Sequence, residues 1–455
     1  MHTKSNYIRP FMMTIGMLLS VMTLSAQSVF ELVKDNPNFV ASDYGVYPDS
    51  DLTALTPAPK GMKPFYVSHY GRHGSRYLNS FKAFEEPYNT LTKADSLGAL
   101  TPMGKTVMKT IKQLYDDSHG RWGDITEVGK NQVRGIARRM YSNFPEVFRG
   151  KAFVDAYSTL VTRCVLSMGA AAQQLVAENP KLQLTLNSSY ENMLFMNHQD
   201  KMLRDSMLTP HVRKVFAVYA ANHRPYYPRL MKVLFNDTAF VRQHVDVQWF
   251  CYYLVKTALI QRNVQNYLEA YPLLTLFTSK DLYQFWEQEN AWWYVTYGFS
   301  PLTNSVEPYS QCELLRKFIT DADSIIAGSQ HGATLRFGHE TVILPLACLL
   351  GINGYDYQTN DLEELEVKGW WASKVFPMAS NIQLVFYRKN ANDKDVLVKV
   401  LLNEKEATLP LPSDIAPYYK WSDFREFYLK RIAEGESALS RERNRIHTHL
   451  LNHSE

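Results

Sequence analysis

The stretch Phe65-Tyr66-Val67-Ser68-His69-Tyr70-Gly71-Arg72-His73-Gly74-Ser75-Arg76 decides the fold. It starts as an aromatic and β-branched run with the composition of a short buried strand, then breaks into glycines and strong cations. A strand that ends in a cationic loop is the layout of an α/β active site, where ligands sit beyond the carboxyl ends of the strands. Arg72 and Arg76 offer planar forks suited to phosphate oxygens, and His73 between them is a potential nucleophile. The flanking glycines let the backbone turn tightly and approach a ligand. On charge pattern alone, a basic surface turn explains the Arg-His pair equally well.

Upstream, residues 28–62 scatter Asn, Asp, Pro and Gly and read as a surface wrap leading into the strand. Ahead of them His2, Lys4 and Arg9 make a weakly basic start, Phe11 to Leu24 an apolar run, and Leu24-Ser25-Ala26 a small-residue cut site before Gln27. Residues 1–26 therefore read as a cleaved secretory signal peptide, too short in its apolar run for a membrane anchor. The chain of 455 residues carries a formal charge of +4, and removal of Lys4 and Arg9 leaves +2, too slight to argue for nucleic acid. Cys164, Cys251, Cys312 and Cys348 are far apart and lack metal-ligand spacing. Two disulfides after export and four buried thiols both remain open.

Downstream, Ser80 to Leu97 reads as a helix interrupted near Pro87. Thr101 caps a second helix with Pro102 in its first turn and Val107, Ile111 and Leu114 on one stripe. Thr126 caps a third, running to about Tyr141. Ala152 to Tyr157 reads as a strand that delivers Arg163 to the start of an alanine-rich helix, where an arginine and free helix N–H groups can share one anion. From 178 to 307 strand signals thin out. Val212 to Ala221, Ala239 to Ala258 and Val264 to Leu276 look helical, and the aromatics of Phe285 to Phe299 read as packing between helices rather than a stacking platform.

After Ser310 the α/β pattern returns with a helix over Leu314 to Ile326 and a strand over Ala333 to Phe337. That strand ends in Gly338-His339-Glu340-Thr341, followed by an apolar helix from Val342 to Leu350. Ile382 to Arg388 and Val396 to Leu402 read as an antiparallel pair at the sheet edge. Trp421 to Glu434 is a late helix, and the polar tail from Ser437 is expected to be partly disordered.

Three separate strand ends thus carry chemistry: Arg72, His73 and Arg76; Arg163; and His339 with Glu340. Three arginines offset the desolvation of a phosphate, His73 can attack phosphorus, and Glu340 can protonate the leaving alkoxide and later take a proton from water. The histidines show no zinc-site spacing, so neither a metal nor another cofactor is expected.

The Arg-His-Gly stretch with Arg76, together with the late His-Glu pair, resembles the histidine acid phosphatases, the second branch of the histidine phosphatase superfamily. The runs Leu100 to Gly104 and Gly123 to Gly129 resemble the linking segments of that family. The resemblance implies an α/β sheet domain with a mostly helical insertion, a phosphohistidine mechanism with His73 as nucleophile and Glu340 as proton donor, and a phosphate clamp of Arg72, Arg76, Arg163 and His339. The expected bodies are a discontinuous α/β domain over 27–177 and 308–440, a helical insertion over 178–307, and a tail over 441–455.

Within the family the chain is most similar to bacterial relatives of the multiple inositol polyphosphate phosphatases. This implies an exported enzyme of the bacterial periplasm that acts on a small phosphate ester such as phytate. Two positions depart from the pattern. Leu78 replaces a proline, and His339-Glu340 matches neither the His-Ala-Glu of the inositol polyphosphate branch nor the His-Asp of the acid phosphatases. Lys82, Arg134 and Arg138 are weaker candidates for holding further phosphates. The competing accounts are a broad acid phosphatase for sugar or nucleotide monophosphates, a non-catalytic phosphate-ester binding protein, and a phosphomutase.

Overall fold

The computed structural model describes residues 28–48, 54–196, 200–264 and 271–452. The signal-peptide segment 1–26 and the last residues of the tail lie outside the described residues.

One sheet of eight strands organises the molecule: β1 (Lys63–Arg72), β2 (Phe153–Ser158), β3 (Gln183–Ser188), β4 (Gly332–Gly338), β5 (Asn381–Arg388), β6 (Leu397–Leu402), β7 (Lys405–Glu406) and β8 (Tyr418–Lys420). The order is β3-β2-β4-β1-β5-β6-β7, with β8 on β6. β3, β2, β4 and β1 are parallel, whereas β5 joins β1 antiparallel. The parallel register sets Arg72 opposite Gly338 and Ser158 opposite Phe337, so three carboxyl ends finish on one line. The strand-end residues His73, Thr159 and His339 emerge side by side because of that register.

β1, β4 and β5 are buried nearly throughout, which is why they read as apolar runs rather than alternating ones. Val67, Leu335 and Val385 pack under the helices Glu127–Asn143 and Thr162–Glu178, through Val133, Ile136, Met168 and Leu175. Tyr66, Tyr70, Leu384 and Phe386 pack on the other face under Cys312–Ala327, Glu340–Leu350 and Trp421–Asn452. The sheet therefore lies between two helical layers, as expected for an α/β domain.

A second core belongs to the helical body. Helices Val247–Ile260 and Ser279–Tyr297 share it with Lys82–Ser96 and Pro102–Ser118, which precede the insertion in sequence. Pro87 does not break its helix. It has no N–H to offer the Ala83 carbonyl, and the buried Thr257 hydroxyl donates to that carbonyl instead, at 2.8 Å. The caps at Thr101 and Thr126 form as expected, each hydroxyl accepting from the backbone N–H three residues on. Trp286 is buried against Phe39 and Trp371, which is packing.

Several stretches differ from the sequence reading. Residues 183–188, placed with the insertion, form the edge strand β3, whose Gln-Leu-Thr-Leu-Asn-Ser composition reflects its exposure. The run from Ala239 divides into Thr238–His244 and Val247–Ile260, because Asp246 accepts from Gln248 and Trp249 and starts a new helix. Val264 to Leu276 holds a 3-10 turn, Leu273–Leu276, and residues 265–270 lie outside the described set. The late helix runs to Asn452 through the tail, since Leu439 and Ile446 bury against Leu203 and Met207. All four cysteines are free, buried thiols.

The Arg-His-Gly loop crosses the start of Glu127–Asn143 backbone to backbone, with no room for side chains at the two glycines that meet there. A Cβ on Gly129 would lie 2.1 Å from the Ser75 carbonyl oxygen, and one on Gly74 would lie 2.2 Å from that of Gly129. Thr126 N–H donates to the Ser75 carbonyl at 2.8 Å, and Gln132 Oε1 accepts from Ser75 N–H at 2.9 Å. Gly129→Ala is therefore expected to destabilise the protein by about 3 kcal/mol through overpacking of two backbones. Urea unfolding checks this, and an unchanged midpoint would show that the crossing has slack.

Candidate active site

The six residues singled out from sequence converge at the carboxyl ends of β1, β2 and β4. β1 carries Arg72 as its last residue, with His73 next in the chain. His73 N–H donates to the Gly338 carbonyl at 2.9 Å, fixing the first loop residue to the end of β4. His73 is fully buried, and its Nδ1 lies 2.9 Å from the Gly74 carbonyl. A carbonyl only accepts, so the neutral ring carries its proton on Nδ1 and keeps a lone pair on Nε2. Burial, then Arg72, Arg163 and Arg76, hold the imidazole well below its ordinary pKa, against the pull of Glu340. His73 is therefore neutral into the acidic range.

Arg72 is buried with its back tied down. Its Nη1 donates to the carbonyls of Asp43 and Phe376, both at 2.7 Å. Its Nε lies 2.9 Å from Glu340 Oε2, and that same oxygen is 3.7 Å from His73 Nε2. Arg76 donates from Nη1 to the Tyr77 carbonyl at 3.0 Å, with its guanidinium 5.5 Å from the Tyr44 ring centroid. Arg163 sits in the first turn of Thr162–Glu178, close to the amino end of that helix. Arg72 Nη2, Arg76 Nε, Arg163 Nε and His73 Nε2 are buried polar atoms without a hydrogen-bond partner. Such groups are costly; a tetrahedral anion with several acceptor oxygens satisfies the three guanidinium donors together, while the Nε2 lone pair of His73 stays free.

His339 ends the β4 strand and caps Glu340–Leu350, its backbone N–H donating to the Tyr70 hydroxyl at 3.3 Å. Its Nε2 lies 3.2 Å from Thr159 Oγ1, and its ring is 5.6 Å from that of His73. Burial pushes the Glu340 carboxyl up, but Arg72, His73, Arg76 and His339 together hold it well below the usual carboxylate range. Ligand atoms of His73, His339 and Glu340 lie within 4.8 Å of one another, spacing that a metal ion can use. Three guanidinium groups in contact range oppose a cation there and favour an anion.

The loop is held from three directions. Gly74 N–H donates to Ser167 Oγ at 3.1 Å, Ser75 Oγ to Asn263 Oδ1 at 2.5 Å, and Tyr77 N–H to the Asp124 carbonyl at 2.9 Å. Gly123 turns with φ +74° beside Arg163, where a Cβ would lie 3.4 Å from Nη1. The weaker cation candidates do not join the clamp. Arg134 pairs with Glu127 and Arg138 with Glu178, and Lys82 lies 5.9 Å from the Tyr253 ring centroid.

Sequence reasoning missed Asp43, Tyr44 and Lys256. Lys256 lies 3.5 Å from Glu289 and 5.4 Å from the centroid of the same Tyr44 ring that Arg76 approaches. Asp43 acts on Arg72 through its main chain, which leaves no trace in composition.

The electrostatic balance at Glu340 has a direct test. Arg72→Met removes the largest of the attractions that lower this carboxyl, so its titration is expected to move upward. Carboxyl carbon NMR of the folded variant reads it, and an unmoved resonance would assign the effect to Arg76 and the histidines.

Comparison with known proteins finds relatives over most of the chain. Multiple inositol polyphosphate phosphatase 1 of Gallus gallus is 20% identical over 413 residues, covering 85% of this chain and 87% of the relative. Multiple inositol polyphosphate phosphatase of Bifidobacterium longum, in complex with inositol hexasulfate, superposes with TM-score 0.67 at 17% identity, over 86% of this chain and 97% of that one. The phytase from D. castellii superposes with TM-score 0.60 at 14% identity, over 87% and 85%. No helix among the described residues is long and apolar enough to cross a membrane. The family model for the histidine phosphatase superfamily (branch 2) matches residues 71–403, from the glycine before Arg72 to the residue after β6, and the chain belongs to that family.

Proposed function

We propose that this protein is a phosphomonoesterase that works through a phosphohistidine on His73 and takes inositol polyphosphates such as phytate as substrate. The observation that carries the reaction is the buried His73 Nε2 facing unsatisfied guanidinium N–H groups, with a carboxylate oxygen 3.7 Å away. The substrate class rests on the similarity to the inositol polyphosphate phosphatases.

In this reading the phosphoryl oxygens take the free edges of Arg72, Arg76 and Arg163 and accept from His339. The His73 Nε2 lone pair forms the P–N bond as the P–O bond to the leaving group breaks. Glu340 passes its proton to the leaving oxygen. In the second step water attacks phosphorus, the P–N bond breaks, and Glu340 takes a proton from that water. Glu340 is ionised in the free protein because of Arg72. A dianion on Arg72 competes for that cation and adds negative charge, which moves the carboxyl toward its protonated form. The export reading places this activity outside the inner membrane.

One observation favours a broad acid phosphatase instead. The cations converge on a single phosphate position, while Lys82, Arg134 and Arg138 are engaged elsewhere. Phosphate release from phytate and from p-nitrophenyl phosphate, without added metal, separates the two. Turnover of both is expected to vanish in His73→Ala, and phytate turnover to decline toward alkaline pH as Glu340 loses the proton it donates. Glu340→Gln should lower phytate turnover by about 10²–10⁴-fold and spare p-nitrophenyl phosphate more, since its leaving group needs no proton. Activity on the nitrophenyl ester alone would redirect the substrate, and a rate maximum above about pH 8 would count against Glu340 as the acid.

A further inference from the structure

The segment Pro37–Tyr44, read from sequence as a surface wrap, forms a wall of the active site. Within it Ser42 adopts φ 47° and ψ −115°, a conformation that L-residues avoid at a cost of about 1–3 kcal/mol. Ser42 is buried, so the surrounding packing holds it there. The consequence falls on the next residue. Asp43 sends its carbonyl to Arg72 Nη1 at 2.7 Å and, as a residue, is only 9% exposed, so its carboxyl is buried with it.

That carboxyl has no part in the proposed reaction, yet its residue sits in the charged cluster of the site: its own carbonyl is 2.7 Å from Arg72 Nη1, and the ring of the next residue, Tyr44, lies 5.4 Å from the Lys256 ammonium. Lys256 of Val247–Ile260 and Arg72 of β1 attract its anion. Glu289 of Ser279–Tyr297 and Glu340 of Glu340–Leu350 repel it. The other helices packed on the segment carry charges that are engaged elsewhere: Lys374 lies over the Trp371 ring at 3.9 Å, Glu31 pairs with Lys34, and Asp35 has its own partner. Burial outweighs the two cations and pushes the Asp43 carboxyl up to about 6.

We propose that Asp43 couples anion binding to proton uptake: its carboxylate takes one proton from solvent when a tetrahedral anion settles on Arg72, Arg76 and Arg163. No bond to substrate forms, and Asp43 is a positioning residue that acts through Arg72. The cause is electrostatic. A dianion on the far side of the Arg72 guanidinium competes with Asp43 for the same positive charge and adds repulsion to that of Glu340 and Glu289. Protonation of Asp43 removes that repulsion, and the neutral acid is compatible with its burial.

The sign follows from linkage. An anion that raises this pKa binds more tightly where Asp43 is protonated, and its affinity falls as pH rises through about 6 toward the higher pKa of the complex. The inference rests on the clamp and not on turnover, so a probe that is not a substrate tests it separately from the phosphatase reading. Inorganic sulfate serves, because it stays a dianion across the range.

The experiment is calorimetric titration of the intact protein with sulfate from pH 4.5 to 8. The wild type is expected to weaken about tenfold across a transition that begins near pH 6, equivalent to a one-unit rise in the carboxyl's pKa on binding. Asp43→Asn keeps the main-chain carbonyl and should bind with no such transition. Lys256→Met removes an attraction that lowers the carboxyl, so its transition should move to higher pH, a readout that survives if the asparagine variant fails to fold. A transition unchanged in Asp43→Asn or in Lys256→Met would overturn the proposal and transfer the linkage to Glu340. Absence of sulfate binding at every pH would overturn it as well.

Discussion

Three guanidinium groups gathered around one buried imidazole, those of Arg72 and Arg76 out of water and that of Arg163 half-buried, are the constraint on which the rest of this structure depends. Each buried charge loses hydration worth several kcal/mol, and like charges add repulsion. The fold offsets part of this with neutral dipoles. Carbonyls of Asp43 and Phe376 solvate one edge of Arg72, and the Tyr77 carbonyl does the same for Arg76. Glu340 supplies a full counter-charge at 2.9 Å from Arg72. The remaining donor edges are left for a ligand, and only an anion with several oxygens fills them.

The same field settles protonation. It keeps His73 neutral, with a free lone pair on Nε2, and it keeps Glu340 ionised. Glu340 is thus a counter-ion to Arg72 in the free protein. In the proposed reaction the same carboxyl serves as the acid once a substrate anion competes for Arg72, which couples binding to proton placement. The parallel register of β1, β2 and β4 and the glycine crossing at Gly74 and Gly129 hold these charges where such exchange can occur.

Most of the sheet and nearly all of the clamp were legible in sequence, for a physical reason. β1 and β4 are buried on both faces, so each is an unbroken apolar run, and each ends in charged residues that no buried strand would carry without a purpose. β3 was hidden because an exposed edge strand has the composition of a loop. The tail helix was hidden because only Leu439 and Ile446 bury against the domain, two residues in a polar stretch. Pro87 read as a break because the hydroxyl that compensates for it, on Thr257, lies 174 positions away from the carbonyl of Ala83. Asp43 was illegible because it holds Arg72 through a main-chain carbonyl and depends on a strained Ser42, and neither feature is encoded in residue type.

The two cores divide the work. The α/β core fixes the chemistry, since every group that meets the phosphoryl position comes from a strand end or the helix that follows it. The helical body sets what surrounds that position, and it meets the clamp through one aromatic ring. Tyr44 lies 5.5 Å from the Arg76 guanidinium and 5.4 Å from the Lys256 ammonium, so a change in either charge is felt across the same ring. Lys256 is in turn balanced by Glu289 at 3.5 Å and sits 5.0 Å from the Tyr252 ring. A cation already matched by carboxylates contributes little net attraction to further phosphates, so this wall adjusts the clamp's electrostatics more than it extends the clamp.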